Sequence, residues 1–194
     1  MNILIVTAHP SSKGRTHLIA ETYAQAKRSR GHTVTVVDLY DKANMLPYMA
    51  FEKIKDRPLE KVQKKFQDQL LAADEIVVVH PIWWGMPPAI MKNWVEQTFW
   101  PGVAYKYLPN GKVQKLLTGK TAKIFATSGG SSWYYHLYIL PLLSFWKLCV
   151  FGFCGADVID LQVCGNLDKW RNDEEKCARC IKTFLKKVKA SALS

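Results

Sequence analysis

The 194-residue sequence has no uninterrupted apolar run of about 20 residues, the length a membrane-spanning helix requires. The nearest approach, Leu137 to Cys154, is interrupted by Pro141 and Lys147 and reads as a buried helix or a contact between copies. The opening MNILIVTAHP has no basic stretch before its apolar residues and no small-residue cleavage site after them, so it does not read as a signal peptide. Disulfide scaffolding is also missing. Five cysteines are an odd number, all in the second half, which favours reduced thiols and a cytoplasmic setting. Cys177-Ala178-Arg179-Cys180 has no second C-x-x-C to complete a zinc set, so no metal is expected. Neither G-x-G-x-x-G nor G-x-x-x-x-G-K-[ST] occurs, which removes the two commonest nucleotide fingerprints. Acidic residues are scarce, 16 against 27 Lys and Arg, for a net charge of +11. That balance suits anionic ligands, but the basic residues are dispersed and no nucleic-acid recognition motif accompanies them, so nucleic acid is not an expected partner.

What is present is ordinary globular material: 48% hydrophobic and 22% charged residues in a chain long enough for one domain, 1–194. Ile3 to Val6, Thr33 to Leu39, Ile76 to Val79, Thr121 to Thr127 and Val158 to Leu161 are short apolar or β-branched runs. They read as strands buried on both faces. Between and after them the period becomes helical at Thr16–Arg30, Pro58–Ala73, Pro87–Phe99, Leu137–Phe153 and Asp173–Lys189. Strands alternating with helices predict an α/β fold: a doubly wound, five-stranded parallel sheet with helices on both faces, flavodoxin-like, in the order 2-1-3-4-5. Ligands of such sheets sit beyond the carboxyl ends of the strands, at the switch point.

The segments after the first, third and fourth strands carry suitable residues. The first, AHPSSKGRTHL, offers hydroxyls, a glycine, Arg15 and the start of a helix, which suits a phosphate but equally an ordinary capped turn. The second, HPIWWGMPPAIMKNW, sets Trp83 and Trp84 among prolines and Gly85; such rings stack on aromatic ligands, and they also fill cores. The third, TSGGSSWYYH, has Gly129 and Gly130, where a backbone can approach a ligand closely. Asp41 to Arg57 reads either as a loop over this site or as a surface connection.

The His9-Pro10 loop, Gly31 with Asp38-Leu39-Tyr40, Pro81 through Trp94, Pro101 to Tyr105, Leu117 to Lys120, Thr127-Ser128-Gly129-Gly130 and Phe153-Cys154-Gly155 follow one another in an order with strong family character. The chain resembles the flavodoxin-like NAD(P)H:quinone oxidoreductases, a family including DT-diaphorase, the modulator-of-drug-activity proteins and the ancillary subunits of potassium-efflux systems. The resemblance implies an enzyme with non-covalent FMN, FAD being the less favoured flavin, and NADPH or NADH as reductant. It implies ping-pong transfer of a hydride equivalent from the nicotinamide nucleotide through the flavin to a quinone or similar acceptor.

By the same resemblance, His9, Arg15 and Thr16 hold the flavin phosphate and ribityl chain. Pro81, Ile82, Trp83, Trp84 and Gly85 run beside the ring, and Thr127, Ser128, Gly129, Gly130 and Tyr135 line its other edge, with Tyr135 the catalytic residue. Tyr105 and Tyr107 line the substrate pocket. The alternatives are a regulatory subunit of a potassium-efflux system and a one-electron carrier. A homodimer is expected, because the Leu137–Phe153 helix and the Trp94, Phe99, Trp100 cluster exceed what a small sheet can cover.

Overall fold

A computed structural model describes residues 1–53, 59–137, 142, 144–170 and 172–194, the side chains of 135–137 excepted. In chain order the elements are β1 (Asn2–Thr7), α1 (Arg15–Arg28), β2 (Thr33–Asp38), α2 (Lys61–Ala72), β3 (Glu75–Pro81), α3 (Ala89–Thr98), β4 (Tyr105–Tyr107), β5 (Val113–Lys115) and β6 (Thr121–Thr127). There follow α4 (Ser132–Leu137), a π-helical turn at Phe145–Val150, α5 (Phe151–Cys154), β7 (Asp157–Cys164) and α6 (Glu174–Leu193).

Five strands form one parallel sheet in the order β2-β1-β3-β6-β7. With the separate β4–β5 hairpin set aside, that is the expected order 2-1-3-4-5. All seven residues of β3 are buried, as are all but the first of β1, which is why Ile76–Val79 and Ile3–Val6 within them are apolar without interruption. Side chains alternate between faces. Leu4, Val6, Ile76, Val78 and Ile124 pack with α2, α3 and the π-helical turn, while Ile3, Ile5, Val77, Val79 and Phe125 pack with α1 and α6.

The amino-terminal end of the sheet closes on a buried charge cluster. Glu75 accepts from the Tyr23 hydroxyl at 2.7 Å and pairs with the Lys27 ammonium at 3.1 Å, with Lys123 at 3.7 Å. Burial, and then the Glu75 charge, push the Tyr23 phenol far up, and burial pulls Lys123 down despite its partner.

Some local expectations are corrected. The β4–β5 hairpin and α4 are elements that the sequence pattern does not predict, since three-residue strands and a six-residue helix show too little periodicity. The Leu137–Phe153 helix is not uniform: its described part holds a π-helical turn, and Gly152 sits where a Cβ would collide with the Lys147 carbonyl five residues earlier. Residues 138–141 and 143 of that helix, and Pro58 at the start of the expected Pro58–Ala73 helix, lie outside the described residues. Trp94 and Phe99 are buried in the single chain, at 1% and 8% exposure, so they do not themselves require a partner subunit.

The Asp41–Arg57 stretch begins with a short 3-10 turn and then lies against α3. There the Asn93 amide donates to Leu46 O at 3.0 Å and the Gln97 amide donates to Pro47 O at 2.7 Å. Residues 54–57 lie outside the described set. No helix among the described residues is long and apolar enough to cross a membrane.

Candidate functional site

Strands β1, β3 and β6 are neighbours, so their following loops meet at one rim. Backbone bonds hold the rim together: Ala8 N donates to Val79 O at 3.1 Å, and Ile82 N donates to Thr127 O at 2.7 Å.

The loop after β1 folds back on itself. Ser11 N donates to His9 Nδ1 at 3.1 Å and Gly14 N donates to Ser11 O at 2.9 Å, leaving no room for a Cβ at Gly14. Helix α1 then starts with no side-chain cap and no acidic residue in its first turn. Its orphan N–H groups and positive dipole end are therefore open to an anion. Thr16, in that first turn, is 1% exposed and its hydroxyl has no hydrogen-bond partner; Thr7 Oγ1, at the end of β1, is likewise unpartnered. A buried unsatisfied hydroxyl costs about 1–3 kcal/mol. Such a group at the mouth of a helix is accounted for by a ligand that supplies the missing acceptor. Arg15 is directed elsewhere: its Nη2 donates to Cys177 Sγ at 2.9 Å, on α6. His17 Nε2 lies 3.0 Å from Asp38 Oδ2 on β2.

The loop after β3 is a tight turn. Trp83 and Met86 exchange backbone bonds at 2.9 and 3.0 Å, and the two central residues, Trp84 and Gly85, have φ of 51° and 78°. Both positive values mark a type I′ turn, routine for glycine and strained for tryptophan. Trp84 is fully exposed and Trp83 is 43% exposed, while Pro81 and Ile82 are buried beneath them. A strained bulky residue held out in solvent is a recurrent feature of ligand sites.

Under this turn, His80 is fully buried. Its Nε2 accepts from Trp146 Nε1 at 3.1 Å, so its proton is on Nδ1, which donates to Pro81 O at 2.8 Å. Burial pushes the His80 pKa down to about 4, and the ring is neutral near pH 7.

The loop after β6 is fastened to the one after β7. Ser128 N donates to Cys164 O at 2.9 Å, Asn166 N to Gly130 O at 2.6 Å, and Leu167 N to Ser128 O at 3.2 Å. Thr127 and Ser128 are buried. Gly130 N–H is taken by Ser128 Oγ at 3.1 Å. A Cβ on Gly129 would strike the Asp168 carboxylate, so the close approach there is to Asp168. Tyr135 belongs to α4, directly after this loop, but its side chain lies outside the described residues.

Tyr105 and Tyr107 stand apart. They pack on each other at 5.5 Å between ring centroids, and Tyr105 packs on Phe153 at 4.9 Å. A cavity of about 390 Å³ beside Tyr105 is bordered by Trp100, Cys149 and Phe153. No hydrogen bond or ring contact among the described residues joins either tyrosine to the three loops. A larger cavity, about 670 Å³, runs along β7 and the end of α6 and reaches Ser132 at the start of α4.

Sequence reasoning overlooked His80, Trp146 and Asp168. For His80 the signal was available: a polar side chain inside an otherwise apolar strand needs a buried partner. Nothing in the sequence pointed to Asp168, which comes close to Gly129 only through the β7 loop.

The family model described as "Flavodoxin-like fold" matches residues 1–188. An uncharacterized NAD(P)H oxidoreductase of Haemophilus influenzae is 30% identical over 173 residues, 86% of this chain and 85% of its own. An FMN-dependent NADH:quinone oxidoreductase of Coprothermobacter proteolyticus is 28% identical over 193 residues, 90% of each chain. Among solved structures, NAD(P)H:quinone oxidoreductase from Methanothermobacter marburgensis superposes with a TM-score of 0.80 over 99% of this chain and 95% of that one. Its 20% identity makes the likeness one of fold.

Proposed function

Because the chain belongs to the flavodoxin-like fold family, we propose that it is an FMN-dependent NAD(P)H:quinone oxidoreductase. The observation that carries this reading is the uncapped start of α1 with the buried, unpartnered Thr16 hydroxyl, opening on the same rim as the Trp83–Trp84 turn and Gly129. A relative of this chain is named as an FMN-dependent NADH:quinone oxidoreductase, and the donor set here suits a flavin with a terminal phosphate.

When bound, FMN supplies two-electron chemistry between the nicotinamide nucleotide and a quinone-type acceptor, each using the same face in turn. The chain's own residues bind and orient. Thr16, His9 and the first N–H groups of α1 hold the phosphate and ribityl chain, and Arg15 adds positive charge at that helix end while bonded to Cys177. Trp83 and Trp84 offer their faces to the ring, on a turn kept rigid by Pro81, Ile82 and Gly85. Thr127, Ser128, Gly129 and Gly130 line the opposite edge. With Gly130 N–H held by Ser128, the Gly129 N–H would be a backbone donor to the flavin from this loop. Tyr135, which follows on α4, would serve as a proton donor to the flavin.

Tyr105 and Tyr107 serve the substrate pocket from a second copy of the chain. This reading makes the protein a homodimer. It is supported by the exposure of Tyr107, Leu148 and Phe153 on one chain, at 60%, 63% and 36%. A single 22.1 kDa species in light scattering at high concentration removes the dimer. Five unpaired cysteines fit a reducing, cytoplasmic setting.

The test compares FMN with riboflavin on the wild type and on Thr16→Val. Wild type binds FMN and oxidises NAD(P)H with a quinone, and the variant loses affinity for FMN but not for riboflavin, which lacks the phosphate. Absence of FMN binding at micromolar concentrations overturns the reading.

A further inference from the structure

Three thiols gather on the far side of the β6 loop, where the end of β7 meets α6, and the flavin site uses none of them. Cys164, the last residue of β7, is 2% exposed and borders the same cavity as Cys180 of α6. Cys180 in turn donates to Gly165 O at 3.8 Å and is only partly buried. Both line one cavity of about 380 Å³.

Its polar lining is one-sided. Lys176, Arg179 and Lys187 border the cavity, and no Asp or Glu does among the described residues. Lys176 is paired with Asp173 at 2.8 Å and Arg179 with Glu175 at 3.5 Å, while Lys187 has no ion pair among the described residues. The third thiol, Cys177, stands one turn earlier on α6, is 6% exposed, and is held by Arg15 at 2.9 Å outside the cavity lining.

We infer that Cys180 and Cys164 are a redox thiol pair, closed to an intramolecular disulfide by small anionic disulfides of the glutathione type that enter the cavity between β7 and α6. Cys180 is the reachable sulfur. As a thiolate it attacks one sulfur of the incoming disulfide; a Cys180–ligand mixed disulfide forms and one thiolate leaves. Cys164, on the same cavity wall, gives up its proton and attacks the Cys180 sulfur; the Cys164–Cys180 bond forms and the second small thiolate leaves. The protons shed by the two cysteines balance the two thiolates released. In sum, two protein thiols are oxidised and one small disulfide is reduced to two thiols. Burial pushes the Cys164 thiol up to about 12, which makes it the slower, resolving partner and keeps Cys180 the entry point. The three cations draw in an anionic disulfide.

The test treats the full-length protein, loaded with FMN, with glutathione disulfide and with the uncharged 2-hydroxyethyl disulfide. Intact mass and peptide mapping follow the products. Wild type and Cys177→Ser are expected to lose two hydrogens and yield a Cys164–Cys180 peptide. Cys180→Ser yields neither that peptide nor a mixed disulfide in the cavity. Cys164→Ser stops at the mixed disulfide on Cys180. The double variant Arg179→Glu/Lys187→Glu slows the reaction with glutathione disulfide on the order of tenfold at low salt and leaves the uncharged reagent's rate alone. A wild type that stays reduced, or a disulfide that maps to Cys177 or Cys149, overturns the pair. Equal slowing of both reagents, or of neither, overturns the anionic selectivity.

Discussion

Trp146 donates its indole N–H to Nε2 of fully buried His80 at 3.1 Å, joining the π-helical turn to the end of β3 directly beneath the Trp83–Trp84 turn. A neutral imidazole is a condition of that bond, since a protonated ring has no acceptor to offer.

The acid side of the stability profile should therefore carry a His80 contribution. In the unfolded chain the imidazole titrates near its ordinary 6.5, whereas in the folded protein burial holds it at about 4. Between those values the unfolded state binds the extra proton, so stability falls as pH drops through that window, by about 3 kcal/mol once below it. Urea unfolding at stepped pH measures the slope. His80→Phe should flatten it; an unchanged slope in the variant assigns the loss to other groups.

Trp84 separates stability from binding. Trp84→Gly relieves the positive φ and removes no buried contact, so melting of the flavin-free protein stays level or rises. FMN affinity should fall about tenfold or more, equivalent to about 1.4 kcal/mol. A lowered melting temperature with an unchanged FMN dissociation constant makes Trp84 a structural residue.

At Gly129 the obstacle is steric. Its φ is not positive, and the added methyl of Gly129→Ala meets the Asp168 carboxylate. The expected cost is about 1–3 kcal/mol. Asp168→Ala on the same chain should recover most of it, and calorimetry of the double variant decides: no recovery locates the strain elsewhere.

The buried cluster at the opposite end of the sheet should be the costliest to break. Glu75→Gln leaves the Lys27 and Lys123 ammonium groups uncompensated at 4% and 2% exposure. Removing one partner of such a cluster costs about 3–5 kcal/mol. A loss below about 1 kcal/mol in urea unfolding would mean the lysines escape to water.

The doubly wound sheet was legible in the sequence because its causes are local. Ile3 to Val6 and Ile76 to Val79 are apolar at every position because both faces of those strands are covered, and the helices between them show their own period. The rim was legible for a related reason: parallel strands with helical crossovers bring the ends of β1, β3 and β6 together, so the Trp83–Trp84 and Gly129–Gly130 segments had to meet. Side-chain direction was not legible. Arg15 turns to Cys177, 162 residues away, and Trp146 reaches His80 across 66; no periodicity encodes such pairings. The β4–β5 hairpin and the π-helical turn were hidden because three residues, or one wide turn, leave too short a pattern to read. Folding also placed Trp94 and Phe99 inside the chain and Cys164 on one cavity wall with Cys180, since packing on a sheet face depends on which residues stand opposite one another in space.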